Sequence, residues 1–216
     1  MGRMKITVIY DNCVVKAGLG AGWGFSALIE TENAPPILFD TGADGATLLH
    51  NMKQLGIDPA RIGAIVISHH HYDHTGGLSD IIEINRNAKI YVPASITVRL
   101  PERKVVQVSQ TTQISEGVFS TGELRGIEQS LAVKTSKGIM VITGCSHPGV
   151  GEILDAASCY GKVYGIIGGL HGFRDFGRLN GLSLICPCHC TQYKSELRSL
   201  FPKQYISCGA GLELEF

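Results

Sequence analysis

The stretch Ser68-His69-His70-His71-Tyr72-Asp73-His74-Thr75-Gly76-Gly77 decides how this chain is read. It follows an apolar, strand-like run from Ile62 to Ile67 and sets four candidate metal ligands, His69, His71, Asp73 and His74, within six residues. Imidazoles with one carboxylate suit a borderline divalent metal, zinc first, with iron and manganese as alternatives. On an extended chain residues i and i+2 point the same way, so His69 and His71 face one ion together. Asp73 and His74 are adjacent and diverge, which suits a second ion beside the first. His70 and Tyr72 alternate to the other side and read as solvent-facing. The spacing differs from the helical H-E-x-x-H pattern, whose two histidines meet one turn apart. A histidine tag would sit at a terminus, whereas this cluster lies mid-chain between an expected strand and an expected helix.

Composition narrows the partners. The 216 residues carry 19 basic and 19 acidic side chains, so the charge is balanced. That argues against a basic nucleic-acid face or a membrane-attracting patch. No apolar run approaches the ~20 residues of a spanning helix, and Ile6 to Tyr10 is too short for a signal-peptide core. A cytoplasmic protein with a small-molecule substrate, and neither nucleic acid nor membrane as partner, is expected. The seven cysteines are irregularly spaced and are expected to stay reduced in such a compartment. Gly20, Gly22 and Gly24 do not fit G-x-G-x-x-G, and no G-x-x-x-x-G-K-[ST] occurs, so a nucleotide cradle is rejected.

Hydrophobic periodicity predicts strands at Met4–Tyr10, Phe25–Glu30, Ile37–Asp40, Ala64–Ser68, Lys89–Val92, Gly138–Thr143, Lys162–Ile167 and Leu182–Ile185. Alternation from Val105 to Thr135 predicts antiparallel strands at Val105–Val108, Gly117–Ser120 and Ser130–Thr135. Helices are expected at Asp44–Leu55, Leu78–Ile84, Val150–Tyr160 and Gln192–Phe201, with a short one over Arg174–Leu179. Gln204–Ser207 and Leu212–Phe216 read as closing strands, the last pairing either between subunits or within the chain. No linker or repeat interrupts the series, which fits one domain over residues 1–216 with two sheets between helices.

Further chemistry sits just after expected strands: Asp40-Thr41-Gly42, Thr143-Gly144-Cys145-Ser146-His147-Pro148-Gly149, Gly168-Gly169-Leu170-His171 and Cys186-Pro187-Cys188-His189-Cys190. Loops on one rim of a rigid scaffold carry function. Taken alone, the last group could also be a zinc or iron–sulfur site, a redox-sensitive pair, or buried inert thiols. The inert reading is favoured, with Cys186, Cys188 and Cys190 on one strand face and His189 on the other.

These motifs resemble those of the metallo-β-lactamase superfamily, whose H-x-H-x-D-H signature matches His69, His71, Asp73 and His74. Phe39-Asp40-Thr41-Gly42 is similar to its first motif. The later loops are similar to one branch, the dihydropterin-methyl-(ribofuranosyl)aminobenzene 5'-phosphate synthases of methanopterin biosynthesis and their relatives. The resemblance implies an α/β fold, a four-layer αβ/βα sandwich of two mixed sheets flanked by helices. It implies one metal on His69, His71 and His147, a second on Asp73, His74 and His189, and Asp40 as structural support. Hydrolytic members commonly carry a bridging Asp where this chain has His171, so one or two metals per chain are expected. His171 is then a ligand, an acid/base facing substrate, or a structural hydrogen-bonding group.

The implied function is a metal-dependent hydrolase acting on a small, anionic phosphoester, lactone or thioester through metal-activated water, with Asp73 and His171 as catalytic residues. A pterin-linked transferase that displaces pyrophosphate from a dihydropterin-methyl diphosphate is the alternative. A non-enzymatic metal-binding or redox protein is the third reading. Arg174, Arg178 and Lys194 are candidates for anion binding, each weighed against an ordinary surface charge.

Overall fold

The computed structural model describes residues 3–97 and 105–216. The first half runs β1 (Met4–Tyr10), β2 (Ser26–Thr31), β3 (Ala34–Phe39), α1 (Gly45–Gln54), β4 (Ala64–Val66), α2 (Tyr72–Thr75), α3 (Leu78–Ile84), β5 (Lys89–Pro93) and β6 (Val105–Val108). The second runs β7 (Thr112–Ser115), β8 (Val118–Ser120), β9 (Leu131–Thr135), β10 (Gly138–Thr143), α4 (Val150–Ser158), β11 (Val163–Gly169), β12 (Leu184–Cys188), α5 (Lys194–Leu200) and β13 (Glu213–Glu215). The strands form two mixed sheets, in the orders β13-β1-β2-β3-β4-β5-β6 and β12-β11-β10-β9-β8-β7.

The period-2 pattern explains the layering. In β10, Met140 and Ile142 point between the sheets, where they meet Ile6, Val8, Phe39 and Val66 of the first sheet. Ile139 and Val141 point the other way, onto Ile153 and Ala157 of α4. In β2 and β3, Ile29 and Phe39 face the other sheet, while Leu28 and Leu38 face Leu48 and Met52 of α1. These central strands are thus buried on both faces over most of their length, so their sequences read as apolar runs. Helix α1 starts where expected because Asp44 caps it, accepting from the Thr47 amide at 2.7 Å. Among the described residues no helix is long and apolar enough to cross a membrane.

Three expectations are corrected. Strand β6 pairs with β5 in parallel, not antiparallel, and so belongs to the first sheet. Gln204–Ser207 makes one isolated bridge, Tyr205 to Ile185, because the chain then turns to lay Ala210 against Cys13 and Val15. Thr112–Ser115 adds a strand, β7, that sequence reading left unassigned. The final strand, β13, pairs with β1 of the same chain. Strands β11 and β12 end at Gly169 and Cys188, later than periodicity suggested, which carries the motif loops to the rim. The interval between them holds only a 3-10 turn, Phe176–Leu179.

The end of β11 tolerates no side chain. Gly168 has φ of +131°, and a Cβ there would lie 1.9 Å from the Thr143 carbonyl oxygen. Gly168→Ala is expected to lower stability by about 3 kcal/mol or more, read as a drop in thermal midpoint by circular dichroism.

Candidate metal centre

The histidine loop leaves β4 extended and then tightens. His71 has φ −65° and ψ 144°, and the single turn α2 begins at Tyr72. This geometry buries His69, Asp73 and His74 and leaves His70, His71 and Tyr72 exposed. His147 follows β10, His171 follows β11 and His189 follows β12, so the ends of both sheets converge on one rim. Five non-glycine residues among those described adopt left-handed backbone, and four belong to this rim: Asp40 (φ 56°), Ser146 (60°), His171 (48°) and His189 (43°). Such conformations are costly and persist where surrounding contacts hold them, as functional sites do.

Ligand atoms of His69, His71 and His147 lie within 4.8 Å of one another, and so do those of Asp73, His74 and His189. Hydrogen bonds set the tautomers. Asp40 accepts from His74 Nδ1 at 2.7 Å, from the Ser68 amide at 2.6 Å and from the Ser68 hydroxyl at 2.7 Å. With its proton on Asp40, Ser68 Oγ accepts from His69 Nδ1 at 2.9 Å. Asn12 Oδ1 accepts from His189 Nδ1 at 3.0 Å. In its neutral form each of these rings therefore presents an unprotonated Nε2, the arrangement that partners of ligand histidines impose. His69 Nε2 converges on His71 Nδ1 at 2.9 Å. Nε2 of His147 and Nε2 of His189 are buried without hydrogen-bond partners. His189 Nε2 stands 3.1 Å from Asp73 Oδ2 yet out of hydrogen-bond alignment. Orphaned buried nitrogens in a nitrogen-and-carboxylate donor set fit a divalent metal.

The electrostatics agree with this donor set. Burial and the crowding of neighbouring imidazoles push His69 and His71 down and hold His147 down to about 4. Burial also lowers His189. Burial would raise Asp73, but His189 and His74 outweigh it and hold it down to about 2. Burial opposes the charged form of His74 too, yet Asp40 outweighs it and the net direction is up. The lowered histidines are neutral when folded and protonate readily when unfolded. Their stability contribution is therefore full above pH ~6.5 and is lost as pH falls towards ~4. His74 acts in the opposite sense, adding stability at low pH that is lost as pH rises through its folded value. We expect the metal-free protein to weaken, and the loaded protein to release metal, between about pH 6.5 and 4. A thermal melt series with parallel metal analysis reads both.

Sequence reasoning missed the groups that hold these ligands. Glu128, fully buried, accepts from the amides of Gly144, Cys145 and Ser146 through Oε1 at 3.1, 3.0 and 3.1 Å, and from the His147 amide through Oε2 at 2.9 Å. Burial raises its pKa while those amides pull it back. Asp11 accepts from the His189 amide at 2.7 Å, and Gln129 links the sheets by donating to the Ile67 carbonyl at 2.8 Å. Trp23, 55% exposed, stands edge-on to His189 with ring centroids 4.8 Å apart.

His171 is exposed, with its ring centroid 5.1 Å from that of His147, and belongs to none of the close ligand groups among the described residues. Arg178 pairs with Asp155, and Arg174 lies over the Tyr193 ring. Lys194 lines a hollow of about 440 Å³ with Cys13, Pro187 and Arg198, whose lining includes no histidine. The inert-thiol reading is corrected at one position: Cys188 and Cys208, 5.2 Å apart at Cα, form a disulfide. The chain's return past β12 brings Cys208 to it. Only Cys186 and Cys188 lie in the strand, because the backbone turns left-handed at His189 and takes Cys190 to Cys145.

A family model of the metallo-beta-lactamase superfamily matches residues 19–149, and the chain belongs to that superfamily. It is 29% identical to the 7,8-dihydropterin-6-methyl-4-(beta-D-ribofuranosyl)-aminobenzene-5'-phosphate synthase of Methanocaldococcus jannaschii, over 80% of this chain and 82% of that protein. An uncharacterized protein of the same archaeon is 28% identical, over 88% of this chain and 91% of its own length. Among solved structures, Tm1679, a metal-dependent hydrolase of the beta-lactamase superfamily, matches with a TM-score of 0.79 at 27% identity, over 99% of each chain. The two sheets with helices outside are the αβ/βα sandwich of this superfamily.

Proposed function

We propose that this protein is a metal-dependent hydrolase of small anionic phosphoesters, lactones or thioesters. The observation that carries the reading is the pair of buried, unpartnered nitrogens, His147 Nε2 and His189 Nε2, one in each cluster of candidate ligands. His69, His71 and His147 would hold one ion, and Asp73, His74 and His189 a second. A divalent metal there supplies Lewis acidity, acidifying water towards a pKa of ~7 and polarising a substrate oxygen.

The chain's own residues supply position and proton transfer. Asp40 and Glu128 fix the ligand loops, so the donors are arranged before substrate arrives. Asp73 stays ionised at neutral pH and accepts a hydrogen bond from the attacking water, turning a lone pair to the substrate. His171, exposed beside His147, delivers a proton to the leaving oxygen or sulfur. His171→Ala is expected to lower kcat by about 10²–10⁴-fold with metal content unchanged. The test compares zinc-loaded and chelator-stripped protein on a phosphoester, a lactone and a thioester panel. Metal-dependent turnover of one class, abolished in His71→Ala, is expected. Turnover of none by the loaded protein, with pyrophosphate released from a dihydropterin-methyl diphosphate, overturns the hydrolase.

The second reading is the pterin-linked transferase, favoured by the synthase relative and by the exposed Trp23. A flat pterin ring would stack on the indole. The methylene carbon–oxygen bond would break, pyrophosphate leaving with the electron pair, as the arylamine attacks through its nitrogen and then loses a proton. Trp23 is the sole tryptophan, so pterin addition would quench the whole tryptophan emission under this reading and leave it unchanged if the ring binds elsewhere.

A further inference from the structure

We propose that Cys145 is a sulfur ligand shared between the two metal positions. The inference rests on the metal-centre reading above and adds a donor to it. His74 commits Nδ1 to Asp40, so its free Nε2 faces Cys145 Sγ at 3.2 Å. An ion on that nitrogen sits beside the sulfur. Cys145 Sγ also groups within 4.8 Å with ligand atoms of His69 and His74 on one side, and of His189 and Cys190 on the other. Cys145 Sγ thus falls within reach of a first-position histidine, His69, and of two second-position histidines, His74 and His189. His189, 3% exposed, has its Nε2 3.1 Å from Asp73 Oδ2, without an aligned hydrogen bond.

The sulfur is held rather than floating. The Cys145 amide is fixed on Glu128, and the residue is only 4% exposed. No side chain from β11 can take its place. A Cβ on Gly169 would lie 2.4 Å from the Gly144 carbonyl oxygen, 2.6 Å from Cys190 Sγ and 3.3 Å from Cys145 Cα. The strand end that could have offered a carboxylate is closed by packing, and a thiol occupies the space between the histidine groups. On metal binding the thiol proton passes to solvent, and the thiolate supplies the negative charge that two adjacent cations require. A soft donor shifts preference towards zinc and cobalt and away from manganese and magnesium.

The test loads the full chain with cobalt(II) and counts bound metal while recording near-ultraviolet absorption. We expect an intense sulfur-to-cobalt charge-transfer band in wild type, lost in Cys145→Ser and Cys145→Ala and kept in Cys190→Ala and Cys186→Ala. X-ray absorption of zinc-loaded wild type needs no variant and should show a Zn–S shell near 2.3 Å. Stoichiometric cobalt with no such band, a band surviving Cys145→Ser, or a zinc spectrum of nitrogen and oxygen alone overturns the sulfur ligand and leaves the metal centre standing. Failure to bind cobalt or zinc at all overturns both.

Discussion

Glu128→Ala is expected to destabilise the protein by about 3–5 kcal/mol and to disperse the first metal position. The carboxylate accepts from four consecutive backbone amides, Gly144 to His147, with no exposure to solvent. Removing it leaves those donors buried and unpaired, and each such group costs about 1–3 kcal/mol. The loop that presents Cys145 and His147 then keeps only contacts such as Ser146 Oγ to the Gly169 carbonyl and the Gly169 amide to the Gly144 carbonyl. Glu128→Gln separates charge from shape. It keeps one oxygen for the Oε1 donors but sets an amide N–H₂ against the His147 amide, so an intermediate loss is expected. Chemical denaturation of metal-free protein gives the stability change, and zinc affinity gives the loss at the site. Two variants as stable as wild type would show that the loop is held by other contacts.

Asp40→Ala is expected to have the second largest effect. Asp40 accepts from Ser68 twice and from His74, all without exposure. Its loss leaves the Ser68 amide unpaired and frees His74 Nδ1 to exchange tautomers. It also strips Ser68 Oγ of the partner that turned it towards His69. One removed side chain thus loosens a histidine in each candidate metal position. Partners of ligand histidines typically contribute 10–100-fold in metal affinity, and breaking a buried charge pair costs about 3–5 kcal/mol. Asp40→Asn should fold better than Asp40→Ala, because its amide oxygen still accepts from one donor. Isothermal titration with zinc, beside a melt of each apo-protein, separates the two contributions. Unchanged zinc affinity in both variants would remove Asp40 from the site's support.

The layers of this fold were legible because burial on both faces leaves a periodic trace. Met140 and Ile142 alternating with Ile139 and Val141 is enough to set β10 between a sheet and a helix. The histidine loop was legible because several imidazoles at short spacing have few other uses. The structure sets ligand atoms of His69, His71 and His147 within 4.8 Å of one another, and likewise those of Asp73, His74 and His189.

The supports were not legible. Glu128 acts on backbone amides, and backbone amides carry no residue signature. Nor does anything around Glu128 distinguish it from a surface acid before β9 is placed. Strand β6 was misread because alternation reports which face is buried and not the direction of the neighbouring strand. The Cys188–Cys208 pairing joins residues 20 apart in sequence, and connectivity among seven cysteines does not follow from spacing. Trp23 stood in a glycine-rich turn whose path only the folded sheet defines.

The proposed two-metal centre takes six protein ligands around His69 and His74. Metal analysis of protein purified without added metal tests it most directly, for wild type and for Asp73→Ala, His189→Ala and His171→Ala. About two ions are expected per wild-type chain and about one in Asp73→Ala and in His189→Ala, with His171→Ala equal to wild type. A single ion per wild-type chain, unchanged by Asp73→Ala and His189→Ala, would contradict it.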